Sequence, residues 1–246
     1  WCSNWYFLLI EYGNVVLGES KGCQISGFCN YNQKSFIGCQ VAGFANIIKD
    51  SAIATQIAGF SNVIIGKTTG IQIAGFSNVN SNNFIGSQIS GFSNCTYGTT
   101  KGFQIAGFAN VSSDSTQGTQ LAGFSNITRN SLDGVQISGF VNVAGKLNGL
   151  QLGFINYCDT VEKGMPIGFV SIIKHGFHAI ELHTNESLFL EGSLLLGVPQ
   201  FYNKFSFGGK INGDNLLWGA SYGIGTTTSI SEKFALNFEL ESGNIN

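Results

Sequence analysis

Charge and proline are scarce in this 246-residue chain. Only 11% of residues are charged, a single arginine (Arg129) accompanies eleven lysines, and the formal net charge is −2. Such a balance leaves no electrostatic footprint for nucleic acid or for an anionic membrane surface. Proline occurs twice, at Pro166 and Pro199, while 43% of residues are apolar. A disordered linker has the opposite composition. No apolar run approaches the roughly 18 residues that a membrane-spanning helix requires. The six cysteines (Cys2, Cys23, Cys29, Cys39, Cys95, Cys158) form no CxxC and no conventional metal spacing, so the redox compartment stays open. The chain starts at Trp1 without a methionine or a basic leader region. It reads as processed or partial, and a missing segment is where an export signal would lie.

What the chain has in excess is glycine, with 34 residues, and phenylalanine, with 21. Both belong to a strict internal repeat. Gln24, Gln40, Gln56, Gln72, Gln88, Gln104, Gln120 and Gln136 are spaced by 16 residues. Phe28, Phe44, Phe60, Phe76, Phe92, Phe108, Phe124 and Phe140 keep the same step. So do Asn30, Asn46, Asn62, Asn78, Asn94, Asn110, Asn126 and Asn142. The unit reads G-x-Q-[IVL]-[AS]-G-F-x-N, followed by seven variable residues. Upstream, Tyr12 and Asn14 keep the Phe and Asn registers while the rest of that unit drifts, which marks residues 1–21 as a degenerate capping coil. Downstream, the unit at Gln151 is one residue short, and Pro166 then replaces the glutamine. Atypical terminal units are expected where a stack stops.

Seven steps without an insertion point to a parallel β-solenoid, in which each residue sits over its counterpart one turn below. Hairpin loops in a meander vary in length. Sixteen residues at about 3.3 Å trace roughly 53 Å, enough for two short strands and two turns per coil. A helical repeat is excluded by the wealth of Gly, Asn, Ser and β-branched residues and by the lack of a 3.6 period. Stacking assigns roles to the columns. Gln and Asn suit amide ladders, which satisfy buried groups that otherwise cost on the order of 1–3 kcal/mol each. Ile25 and Phe28, three apart, are both expected to turn inward through a bend at Gly27. Gly22, Gly38, Gly70, Gly86, Gly102, Gly118 and Gly134 are expected in the turn before each strand, with Ala54 the exception.

The 16-residue step stops after residue 174, which bounds the solenoid at 22–174 and leaves residues 175–246 as a separate antiparallel β domain. Segments 177–185, 187–197, 201–210, 216–225 and 233–241 alternate apolar and polar residues in places, most clearly from Phe234 to Glu241. Turns are expected at Asn212-Gly213-Asp214 and at residues 227–229. The five strands would cap the solenoid or open an outer-membrane barrel, whose strands run to 9–11 residues.

The repeats, together with Gly164-Met165-Pro166-Ile167-Gly168-Phe169, Phe201-Tyr202-Asn203 and Trp218-Gly219-Ala220-Ser221-Tyr222-Gly223-Ile224-Gly225, resemble the bacterial surface-repeat proteins of Gram-negative envelopes. The likeness spans residues 22–241. It implies an exported, outer-membrane-associated protein at the cell surface, and it carries no catalytic residues across.

Candidate chemistry is thin. His175, His178 and His183 lie close in sequence, but on an extended strand His178 and His183 face opposite sides, so surface or packing histidines are the plainer reading than a metal site. Glu181, Glu186 and Glu191 suggest paired carboxylates, against which stand ordinary solvated strand faces. Cys23 and Cys39 share a column at about 4.8 Å, within disulfide range, and stacked free thiols fit equally. The sequons at Asn94, Asn110 and Asn126 are by-products of the Asn column, and that at Asn185 stands apart. The repeat glycines lack the Lys-Ser/Thr and the helix of a phosphate loop. The reading is therefore a non-enzymatic envelope scaffold: a rod roughly 50 Å long at about 4.8 Å per coil, with no cofactor. Its seven variable residues would face an unknown protein or polysaccharide partner, and its last strands would meet the outer membrane. The alternative is a carbohydrate- or polymer-binding, adhesin-like module, which wants an outer aromatic row. The position before each Gln (Cys23, Cys39, Thr55, Ile71, Ser87, Phe103, Thr119, Val135) offers none. Ice binding wants a threonine ladder, and none runs through the array. Exposed coil ends also leave self-association open.

Overall fold

A computed structural model describes residues 5–184, 189–212, 215–231 and 234–245. All of its regular structure is β. From Ser20 to Ala122 each coil contributes one seven-residue strand and one four-residue strand, as in Ser20–Ser26 and Cys29–Asn32. Long strands pair in parallel with long ones and short with short, 16 residues apart, as Gln24 with Gln40 and Asn30 with Asn46. In the last coils the two merge into Ser125–Ser138, Val141–Leu152 and Ile155–Ile167. There the step falls to 15 or 14, as Gln136 with Gln151 and Asn142 with Asn156. The stack begins at Trp5–Ile10, which pairs with Ser20–Ser26 in the same register, so residues 5–16 already wind as a coil. It ends at Val170–Ile173. A separate antiparallel sheet follows, with strands Phe177–His183, Leu190–Val198, Phe201–Asn212, Asn215–Ser231 and Phe234–Ile245 in sequential order. Residues 227–229, expected as a turn, continue the fourth strand. The expected turn at Asn212-Gly213-Asp214, the acid Glu186 and the sequon at Asn185 fall outside the described residues in whole or in part.

Strand alternation decides what faces inward. In the long strand the first, fifth and seventh residues are buried, as Phe84, Gln88 and Ser90 are; in the short strand the second and fourth are, as Asn94 and Thr96 are. Ile25 and Phe28 were expected inside, and this is where the sequence misleads. The isoleucine column lies on the outer face, and Phe44 to Phe124 are each 42–43% exposed. The corner is already full. Each Asn amide of the column braces it by donating to the carbonyl of the Ile column in the following coil, as Asn78 Nδ2 does to Ile89 O over 2.8 Å. Gly27 and its equivalents serve close stacking, not an inward bend: a Cβ on Gly43 would sit 2.0 Å from the Gly27 carbonyl oxygen.

The Gly22 column is displaced from expectation too. These glycines are the third residue of the long strand, not part of a turn before it, and they hold φ between +123° and +144°. Side chains disfavour that backbone, and a Cβ on Gly86 would meet the Gly70 carbonyl oxygen at 1.9 Å.

The seven variable residues are not wholly exposed either. They supply two inward columns, those of Asn32 and Phe36. Within a coil the two columns face one another, and their chemistry matches. Thr100 bonds Ser112 at 2.8 Å and Thr116 bonds Thr128 at 2.8 Å. Phe36, Ile48, Ala52 and Ile64 form one apolar cluster near the start of the stack. Leu132, Ala144, Leu147, Cys158 and Ile173 form another near its end, closed by Val198 of the terminal sheet.

Candidate functional site: amide and aromatic columns and a terminal sheet of reversed polarity

The core of the rod is two amide ladders that run in opposite senses. Each Gln donates back to the coil before it, Gln40 Nε2 to Gln24 Oε1 at 2.7 Å and so on to Gln151. Each Asn donates forward, from Asn14 through Asn142 to Asn156, at 2.7–3.1 Å. The senses are fixed by chemistry. Gln136 Nε2 also reaches the carbonyl of Val143, and each Asn Nδ2 reaches a carbonyl, which can only accept. Opposed amide arrays cancel much of one another's dipole. They also leave complementary groups at the N-terminal end, a donor on Gln24 Nε2 and an acceptor on Asn14 Oδ1, both buried and without a partner among the described residues. At the other end, where Pro166 has no amide to give, the Cys158 thiol lies 3.6 Å from Gln151 Oε1.

Outside, the Phe rings from Phe28 to Phe124 stack at centroid spacings of 4.9–5.0 Å with planes within 4°. The column continues through Phe140, Phe154 and Phe169. Ring faces are spent on neighbouring rings, so the edges face solvent. Beside the rings run Ile57, Ile73, Ile89, Ile105 and Leu121, each about two-fifths exposed.

The terminal sheet takes over both outer and inner columns. Tyr222 stacks on Phe169 at 4.6 Å. Asn203 accepts from the Ser171 backbone N–H at 2.8 Å and donates to the Gly168 carbonyl at 2.8 Å, prolonging the hydrogen bonding of the Asn column. Beyond this junction the sheet's polarity is reversed. One face carries exposed Ile180, Leu182, Leu190, Phe207, Trp218, Phe238 and Leu240. Leu182, Leu190, Phe207, Ile211 and Trp218 surround an open apolar groove there. The other face gathers charge: Lys204 Nζ, almost fully buried, lies 2.8 Å from Glu239, 3.4 Å from Glu241 and 3.6 Å from Glu181. Glu181 and Glu239 belong to the first and fifth strands, whose backbones would stand about 19 Å apart in a flat sheet. The sheet is therefore curled around Lys204, with Gly223 and Gly225 on its inner side across from Lys204 and Tyr202.

Burial opposes ionisation of Glu239 and Glu241, but hydrogen bonds from Lys204 and Tyr202 to the first, and from Ser221 and Ser206 to the second, hold both below the usual range. Burial likewise opposes the charge on Lys204, and the Glu239 hydrogen bond with the surrounding carboxylates raises it nonetheless. Tyr202 is pushed up to about 12, by burial first and by its bond to Glu239 next.

The remaining sequence candidates are dispersed. His178 Nε2 lies 2.6 Å from the Ile173 carbonyl, and His183 pairs with buried Glu191 at 3.3 Å. Glu181 and Glu191 are thus engaged in pairs and are not simply solvated. Among the described residues no three His, Cys, Asp or Glu side chains converge. Cys23 and Cys39 face each other in register as free thiols, and burial, then Cys23 itself, raises the Cys39 pKa. Asn94, Asn110 and Asn126 are fully buried in their column, which closes those sequons to modification.

The fold and these columns define a parallel β-solenoid with an amide-laddered core, followed by a curled five-stranded antiparallel sheet. Comparison with protein-family models, with curated proteins and with solved structures yields no match.

Proposed function

We propose that this protein is a non-enzymatic scaffold of a bacterial cell envelope, in which the solenoid is a rigid rod and the terminal sheet forms part of a β-barrel wall in the outer membrane. One observation carries the reading: the terminal sheet puts Lys204 and three glutamates on its inner, concave side, while on its other side, beyond the patch where Asn203, Phe205 and Tyr222 meet the end of the solenoid, Ile180, Leu182, Phe207, Phe238 and Leu240 are exposed. A soluble sheet buries its apolar face, whereas a membrane barrel turns that face to lipid and keeps polar groups in the lumen. No helix among the described residues is long and apolar enough to cross a membrane, and strands are the remaining route. The resemblance to Gram-negative surface-repeat proteins points the same way. The polymer-binding alternative gains nothing from the Phe column, because sugars stack on ring faces and these faces are covered by other rings.

Membrane fractionation of the full-length gene product tests this. The protein is expected in the outer-membrane fraction, released by detergent and not by salt or alkali. Recovery in the soluble fraction without detergent overturns it.

A further inference from the structure

The outer columns are as regular as the core, and nothing in the described chain covers them. Positions 22–32 contain no Asp, Glu, Lys or Arg, and neither do the equivalent positions of the following nine coils, through 164–173. The solenoid's charges fall on the opposite turn and its borders, at residues such as Lys34, Asp50, Lys67, Asp114 and Arg129. One flank of the rod is thus a charge-free strip with two parallel ridges, the Phe rings and the Ile column.

We propose that this flank is a homotypic interface, through which two copies of the chain pack side by side along their solenoids. The area supports it. Ten rings and six of the ten aliphatic side chains are at about two-fifths exposure or more, and the other four are half-buried. The flank thus presents on the order of 1,500 Å² of apolar surface, where the largest patch on a typical monomer is about 300–600 Å². Burying somewhat more than half of it reaches the roughly 800 Å² per partner of a stable complex. The geometry selects a second copy over an unrelated partner. Ridges repeating every 4.9 Å interlock best with ridges of the same repeat, and identical side chains meeting across a dry seam are how steric zippers pack. A two-fold axis across the rod sets the Phe ridge of one copy into the Ile–Phe groove of the other and buries no charge. Pairing stands apart from membrane attachment: stoichiometry tests the one and fractionation the other.

The full-length chain in non-ionic detergent is expected to sediment as a dimer. Phe76→Lys with Phe92→Lys, placing two charges mid-seam, is expected to weaken dimerisation by on the order of 100-fold. Ile73→Lys with Ile89→Lys should do the same from the second ridge, which guards against misfolding of the first pair. Asn82→Lys, on the opposite turn, should leave the dimer intact. A wild-type monomer at every concentration overturns the proposal. So does a dimer that survives both pairs of substitutions. Binding of a monomeric wild-type chain to zwitterionic vesicles, lost in both charged variants, would assign the flank to lipid and equally overturn it.

Discussion

Asn78 donates its Nδ2 hydrogen to Oδ1 of Asn94, one coil further on, over 2.9 Å. The same nitrogen reaches the carbonyl of Ile89 at 2.8 Å, and Oδ1 of Asn78 accepts from Asn62 at 2.9 Å. The amide therefore joins three coils and braces the corner on which the Phe ring stands. Asn78→Ala should leave Asn94 Oδ1 and one Asn62 hydrogen unpaired in a site closed to water. A loss of about 2–3 kcal/mol is expected in denaturant titration. Asn78→Asp keeps the shape and the acceptor but cannot donate when ionised, and it brings a charge into the core. It should cost more than alanine does, and a milder effect would show that water enters the ladder.

Ser90 gives the opposite sign. Its hydroxyl is buried and has no partner among the described residues, as in Ser26 and Ser138. At the same place in other coils stand Ala42, Ala58, Ala74, Ala106 and Ala122, all buried. Ser90→Ala removes a desolvated polar group without opening space, so the unfolding free energy should rise by about 1 kcal/mol. A decrease would mean that the hydroxyl is satisfied by a bound water.

The architecture was legible in the sequence because a solenoid writes its period into every column: Gln24, Phe28 and Asn30 each repeat at the step by which the strands pair. The buried Gln and Asn ladders were legible too, but the outward turn of the Phe and Ile columns was not. Hydrophobicity places Phe inside and Asn outside in an ordinary domain, and here that rule fails at both. The Asn amide donates to the carbonyl at the corner, as Asn78 does to Ile89, and it takes the interior position. The apolar ring is displaced to the surface, where stacking on its neighbours covers its faces. Pairing of the variable columns, Thr100 with Ser112 and Thr116 with Thr128, was hidden because those residues lie 12 apart on facing strands. Lys204 gave little signal: its carboxylates come from strands two removed on either side, and only the glycines at 223 and 225 hinted at room on that face.

Stacking of the rings has its own measurable share of stability. Phe76 and Phe92 lie 4.9 Å apart with planes within 1°. Aromatic pairs contribute about 0.5–1.5 kcal/mol beyond the area they bury. Alanine substitutions at 76 and 92, singly and together, should show a coupling of about 1 kcal/mol in a double-mutant cycle. Zero coupling would make the column a bystander of the amide ladders beneath it.

The charged interior of the terminal sheet predicts how that sheet responds to pH. Glu239 and Glu241 have folded pKa values below the ordinary 4.5. Their contribution is therefore present above about 4.5 and is lost as acid takes the solution down through the lowered values. Lys204 has a folded pKa above its ordinary 10.5. Its contribution is present below that value and is lost as alkali takes the solution up through the raised one. Between these limits the stability owed to the cluster should be flat. Trp218, on this sheet, reports on it once Trp1→Phe and Trp5→Phe silence the tryptophans at the other end of the chain. Lys204→Met fits the volume and strands three carboxylates around an apolar side chain. A loss of about 3 kcal/mol is expected, at the lower end for a broken buried pair because the glutamates are partly exposed. The variant should also invert the acid response, regaining stability as the pH falls and the carboxylates take up protons. If Lys204→Met keeps the wild-type acid profile, the carboxylates ionise independently of Lys204, and the charged interior gives the sheet no reason to curl.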